Sequence, residues 1–173
     1  MTVSDSGGPD HRSEVETLAI DGVVRERFPR VAYQHGSLTE VVNRSWHDMF
    51  DSGVEHLYLI SNPNAESRDE WYVHQHVTDR YVIVDGHLDV ALYDGRADSP
   101  TAGTLLVTEL LGIEDDGFAG LRIPNGVWHS FSSRRERLIL MNAKSPGYDR
   151  TKPDKQRMPM PNDEVDFSWS SRV

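Results

Sequence analysis

The sequence predicts an all-β fold, a sandwich or closed barrel of short strands with little helix. Short apolar runs rich in β-formers recur along the chain, turn residues bound each of them, and the period of an amphipathic helix is weak throughout. The 173 residues fit one domain with a sizeable core.

In chain order, residues 1–14 are rich in Ser, Gly, Asp and His, offer little to bury, and read as a disordered arm. The barrel is expected over 15–143. Within it, Leu38, Val41, Val42, Trp46, Met49 and Phe50 can share one face, which makes 38–50 the best helix. Residues 57–60 form a strand that stops at Ser61-Asn62-Pro63-Asn64. Residues 81–84 and 88–93 are strands joined through Asp85-Gly86, a dipeptide that suits a type I′ hairpin turn. Strands over 104–107, 109–111, 121–123 and 138–141 complete the series. After Met141 the composition shifts, and Pro146, Pro153, Pro159 and Pro161 read as an extended tail over 144–173 that packs outside the barrel.

Composition removes several classes of function. Twenty-eight acidic residues against eighteen basic ones give a net charge of −10, a field that repels nucleic-acid phosphates. The absence of cysteine excludes disulfides, thiolate nucleophiles and sulfur-ligated zinc. Met1-Thr2-Val3-Ser4-Asp5 lacks the basic and apolar regions of a signal peptide, and no apolar run nears the ~20 residues that span a bilayer. The expectation is a soluble, cytoplasmic protein with a small-molecule substrate and neither nucleic-acid nor membrane partners.

Three stretches carry more specific information. Asp94-Gly95-Arg96 runs into Ser99-Pro100-Thr101-Ala102-Gly103, a D-x-R-x-x-S-P-T-x-G turn. Ile123-Pro124-Asn125-Gly126 leads to His129 and Phe131, an I-P-x-G-x-x-H-x-F segment in which a tight turn feeds a strand. Trp71-Tyr72-Val73-His74-Gln75 is followed by Gly86-His87-Leu88-Asp89-Val90. On these motifs the chain resembles the cupin superfamily and, within it, the dTDP-4-dehydrorhamnose 3,5-epimerase family, over roughly residues 31–169. The resemblance implies a double-stranded β-helix, or jelly-roll barrel, with short helical segments and the proline-rich tail. It also implies a homodimer, for which edge strands near 31–42 supply a physical reason.

The same resemblance implies a site. His74 matches the family's general base, Asp163 its loosely aligned carboxylate partner, and the opposing acid, a tyrosine in the family, falls on Met141 or Asn142. The family's lysine falls on Asp79, with Arg80 beside it, and an expected arginine falls on Trp71 near Arg68. Tyr148 is the substitute acid if the chain folds back over the barrel mouth. Tyr72, His76, Arg80, Arg122, His129 and Asn142 are the candidates for holding substrate, Asn142 as a hydrogen-bond donor to an enolate-like oxygen. The expected activity is cofactor-independent epimerisation or isomerisation of a keto-sugar nucleotide or another activated ketone. The missing tyrosine predicts negligible 3,5-epimerisation of dTDP-4-dehydro-6-deoxyglucose.

Two other readings stand beside it. Cupins that bind metal use H-x-H and a later histidine, so His74, His76 and His129 are an alternative three-imidazole site for zinc, iron or nickel, serving a dioxygenase or lyase. The fold also suits a natural-product tailoring enzyme or a small-molecule binder. His11, His35, His47, His56 and His87 read as surface residues, and Arg96 as structural or ligand-binding.

Overall fold

The structure, a computed structural model, describes residues 13–42, 49–133 and 137–172. Its strands are β1 (Glu14–Thr17), β2 (Val24–Arg27), β3 (Arg30–Tyr33), β4 (Gly36–Thr39), β5 (His56–Asn62), β6 (Glu70–His74) and β7 (Thr78–Asp85). They continue with β8 (His87–Asp94), β9 (Leu105–Leu111), β10 (Ala119–Ile123), β11 (Val127–Ser133), β12 (Leu138–Ser145) and β13 (Lys155–Pro159). A single 3-10 turn, Trp169–Arg172, is the helical element among the described residues. No described helix is long and apolar enough to cross a membrane.

The strands form two antiparallel sheets, ordered β1-β2-β10-β7-β12-β5 and β13-β6-β11-β8-β9, with β3 and β4 as a separate hairpin. The period of two along each strand sorts side chains between lumen and exterior. Ile83, Leu88, Val90, Leu92, Leu110, Leu121, Ile123, Leu138 and Leu140 fill the lumen between the sheets. The same faces continue into polar residues, so the barrel is apolar at one end and chemically equipped at the other. Outside the second sheet, Met160, Val165 and Phe167 from the end of the chain cover Trp71 and Ala91. Outside the first, Phe28 and Met49 cover Val82 and Phe118.

The all-β expectation holds, and the expected strands lie in β5, β7, β8, β9, β10 and β12. Four local readings change. Residues 81–84 and 88–93 do not pair with each other: β7 lies in one sheet and β8 in the other. Asp85-Gly86 is therefore a crossing between layers. Its reason is steric, because Gly86 sits at φ +99 and a Cβ there would lie 2.3 Å from the carbonyl oxygen of Arg137. The helix expected over 38–50 begins in strand β4, while 43–48 lie outside the described residues. Of the arm expected over 1–14, residues 1–12 lie outside the described residues and Glu14 opens β1. The tail is more than a cover: β12 runs on to Ser145, and Lys155–Pro159 pairs with β6 as β13. Pro159 is tolerated because β13 is the edge strand and the proline is its last residue.

The S-P-T turn proves structural. Asp94, fully buried, takes hydrogen bonds from Arg96 Nε at 2.7 Å, Arg96 Nη2 at 2.9 Å, and the hydroxyls of Ser99 and Thr101 at 2.6 Å each. Burial would raise its carboxyl, but these donors outweigh burial and hold it well below the carboxylate range. Arg96 also donates to the Asp21 carbonyl at 2.8 Å, which ties the turn to the chain between β1 and β2.

The crossing at Gly86 gives a direct test. Gly86→Ala suffers both the backbone conformation and the clash with Arg137, whereas Gly53→Ala, at φ +77 with nothing within 4 Å, suffers the conformation alone. Gly53→Ala should cost about 1 kcal/mol and Gly86→Ala several times that, measured by urea unfolding. Equal costs would show that the contact relaxes freely.

Candidate active site

The polar end of the lumen is a cavity of about 560 Å³. β5 supplies His56, Tyr58 and Ile60 by alternation, with Leu57 and Leu59 turned outward. β6 supplies Glu70, Tyr72 and His74; β7 supplies Asp79 and Tyr81; β11 supplies His129 and Phe131; and β12 supplies Lys144. Arg68 ahead of β6 and, past the barrel, Tyr148, Arg150, Lys155 and Arg157 complete the lining.

His74 is buried and engaged on both ring nitrogens. Nδ1 lies 2.7 Å from Asp154 Oδ1 and Nε2 lies 2.8 Å from Lys144 Nζ. An ionised carboxylate only accepts, so Nδ1 carries the proton and Nε2 presents its lone pair to the ammonium. Burial would raise the Asp154 carboxyl; the bond from His74 and the backbone N–H groups of His76 and Val77 outweigh it and keep it below its ordinary value. Lys144 Nζ also pairs with Asp79 Oδ1 at 2.8 Å, both groups being almost wholly buried. Cross-strand register explains the pair, since Lys144 on β12 faces Asp79 on β7.

Asp79 is the hub. Asn142 Nδ2 donates to Oδ1 at 2.7 Å, and His74 Nε2 and His129 Nε2 each lie 3.8 Å from Oδ2. Burial pushes this carboxyl up, but His129, Lys144, His74 and the Asn142 bond together hold it below its ordinary value. Burial also pushes His129 down, to about 4, against the pull of Asp79. His129 is thus neutral at pH 7, and the Lys144 ammonium is the partner that balances Asp79 there.

Of the expected site residues, His74, Tyr72, His129 and Tyr148 come together in the cavity. Asp163 does not reach His74; it lies on an exposed turn beyond β13, and Asp154 takes the position on Nδ1. His76 is exposed in the turn after β6, because the strand ends at His74 and the alternation ends with it. Arg80 and Arg122 face the outside of the first sheet, one bonded to Met49 O and Ser52 Oγ, the other near Asp51. Asn142 is buried behind the lining, with both amide hydrogens given to Asp79 and Tyr58. His56, expected at the surface, lines the cavity.

The three-imidazole metal set is not assembled. His76 points elsewhere, the Lys144 ammonium stands against His74 Nε2, and no cluster of described His, Asp or Glu residues has metal-holding geometry. The sequence reading missed Tyr58, Lys144, Asp154, Arg150, Lys155 and Arg157. Alternation marks Tyr58 between Leu57 and Leu59, and period two carries Asn142 to Lys144. The tail residues were hidden because prolines flank β13.

His129 predicts a pH dependence of stability. The unfolded chain protonates this histidine near 6.5 and the folded one only near 4, so the unfolded state holds the extra proton between those values. Stability should fall as pH drops from 7 to 4, by about 3 kcal/mol for this group. His129→Gln should flatten that fall in urea unfolding. An NMR ring titration with its midpoint near 6.5 would refute the assignment.

No protein-family model matches the chain. It is 29% identical over 144 residues, 82% of this chain and 89% of the relative, to the "Probable low-salt glycan biosynthesis epimerase Agl13" of Haloferax volcanii. A dTDP sugar isomerase from Desulfovibrio desulfuricans shares the fold at a TM-score of 0.78 and 23% identity, covering 90% of this chain and 95% of that one. The dTDP-4-dehydrorhamnose 3,5-epimerase of Bacillus anthracis, solved with TDP and PPi bound, gives a TM-score of 0.76 at 18% identity, covering 91% and 90%. By its barrel, its turn motifs and its relatives in sequence, the chain is a cupin-fold protein that resembles the dTDP-4-dehydrorhamnose 3,5-epimerase family.

Proposed function

We propose that the chain is a cofactor-independent epimerase or isomerase that removes a proton next to the carbonyl of a nucleotide-linked keto-sugar. The observation that carries this reading is the Asp154–His74–Lys144 line at the cavity wall, 2.7 Å and 2.8 Å long. Asp154 fixes the tautomer and supports the imidazolium that forms when Nε2 takes the proton. Lys144, balanced by Asp79, shifts from Nε2 onto the carbonyl oxygen as negative charge develops there. That shift frees the base and stabilises the enolate in one movement.

The cavity rim supports a phosphorylated substrate. Arg68, Arg150, Lys155 and Arg157 line it in a chain whose net charge is −10, a local reversal of the global field. Burial, with Arg157 and Lys144 close by, pushes the Lys155 ammonium below its ordinary value. A diphosphate seated there relieves that crowding. The Haloferax relative's name as a glycan-biosynthesis epimerase agrees with the epimerase reading.

The reading is of a cytoplasmic homodimer. Val31, Tyr33 and Leu38 on the β3–β4 hairpin, and Leu57 and Leu59 on edge strand β5, are exposed apolar side chains that a second copy would cover. Light scattering at micromolar concentration should give twice the monomer mass.

Solvent-deuterium incorporation into a panel of nucleotide-linked 4-keto-6-deoxy sugars tests the chemistry. Exchange is expected at a carbon next to the ketone, with His74→Asn lowering its rate about 10²–10⁴-fold. Asp154→Asn should lower it less, because it leaves the base in place and removes only its orientation. Wild-type exchange in His74→Asn would remove the base assignment.

A further inference from the structure

The cavity contains a phenol that the sequence motifs leave unexplained. Tyr58 on β5 lines the cavity directly opposite Asn142 on β12, one of the two positions, with Met141, where the resemblance places the family's acid tyrosine. The hydrogen bonds of Asn142 determine where the phenol's own proton can go. Its Oδ1 accepts the Arg80 backbone N–H at 3.1 Å, so the two hydrogens are on Nδ2. One goes to Asp79 Oδ1 at 2.7 Å and the other to Tyr58 Oη at 2.8 Å. The Tyr58 oxygen is therefore an acceptor toward Asn142, and its O–H is left to point elsewhere.

The walls matter as much as the bonds. Tyr58 rises from the first sheet and His74 from the second. Lys144 Nζ lies between them, 2.8 Å from His74 Nε2, 5.8 Å from the centre of the Tyr58 ring and 5.5 Å from that of Tyr148. Tyr148 meets His74 edge-on, with ring centres 6.0 Å apart, and so stands against the base. Burial raises the Tyr58 phenol and keeps it protonated; the Lys144 charge and the Asn142 bond limit the rise, while the nearby Asp79 charge adds to it.

We propose that Tyr58 is the proton donor opposing His74, an acid relocated by one strand from the position the family uses. The proposal rests on the reading of His74 as base. His74 Nε2 takes the proton from the carbon beside the ketone, and the C–H electron pair becomes the C=C bond of an enolate whose oxygen faces Lys144. The Tyr58 O–H then delivers its proton to the opposite face of that carbon as the C=O bond re-forms. This leaves imidazolium and phenolate, which exchange one proton through solvent to restore the starting state. The stereocentre is inverted with no oxidant or reductant consumed.

The test separates exchange from inversion. Wild type and Tyr58→Phe are incubated in D₂O with dTDP-4-keto-6-deoxyglucose and the sugar panel above, following deuterium incorporation and product configuration by NMR, with thermal melts to show that both are folded. Tyr58→Phe should keep deuterium exchange within a few-fold and lose inversion by about 10²–10⁴-fold. Inversion at the wild-type rate in Tyr58→Phe overturns the proposal. So does inversion that survives Tyr58→Phe and disappears in Tyr148→Phe, which assigns the donor to Tyr148. Wild-type exchange without inversion overturns Tyr58 as acid while His74 stands as base. No exchange in wild type with any sugar overturns both.

Discussion

A carboxylate sealed inside a barrel must be answered by its neighbours, and the answer to Asp79 organises this site. At 2% exposed it carries a charge that the interior tolerates only with donors and a cation at hand. Lys144 and Asn142 supply them from β12, two residues apart and on one face. Once they are fixed, the rest follows: Lys144 faces His74 Nε2, Asn142 turns a hydrogen toward Tyr58, and His129 is held neutral beside them. Removing one member of such a buried pair typically costs about 3–5 kcal/mol, so its members depend on one another for stability.

The arrangement also bears on how chemistry moves among strands without a change of fold. In the family the chain resembles, a lysine is expected at position 79 and a tyrosine at position 141 or 142. Here an acid and an amide stand there, and the lysine and a phenol appear on the neighbouring cross-strand positions 144 and 58. Register makes the exchange possible: Asn142 faces Tyr81 on one side and Tyr58 on the other, and Lys144 faces Asp79 and His56. Side chains from adjacent positions reach the same volume, so charge and hydroxyl can change address while staying in the cavity.

Much of the fold was legible because alternation and turn residues are local signals. The runs around Tyr81, Leu88, Leu121 and Leu138 are strands, and Pro124-Asn125-Gly126 does set up His129. What was not legible depends on which strands become neighbours. Asp85-Gly86 has the chemistry of a hairpin turn, yet the sheet assignment of β7 and β8 makes it a crossing, a fact held in the contact with Arg137 far along the chain. His74-x-His76 looked like a shared face, but the strand stops at His74. Asp154 and Asp163 both lie in the proline-rich tail, and only the pairing of β13 with β6 decides which one meets His74.

That pairing has one more consequence. Asp154, Lys155 and Arg157 lie in or beside β13, and Tyr148 and Arg150 in the loop that leads to it, whereas His74, Lys144 and Tyr58 belong to the barrel itself. The pairing of the two sheets places His74, Lys144 and Tyr58, whereas Asp154, which holds His74 Nδ1, and half of the cationic rim are placed by the last edge strand. The site is therefore complete only when the last strand of the chain is paired with β6. A chain ending before Pro153 would lack the carboxylate on His74 Nδ1 and two of the four cations at the rim.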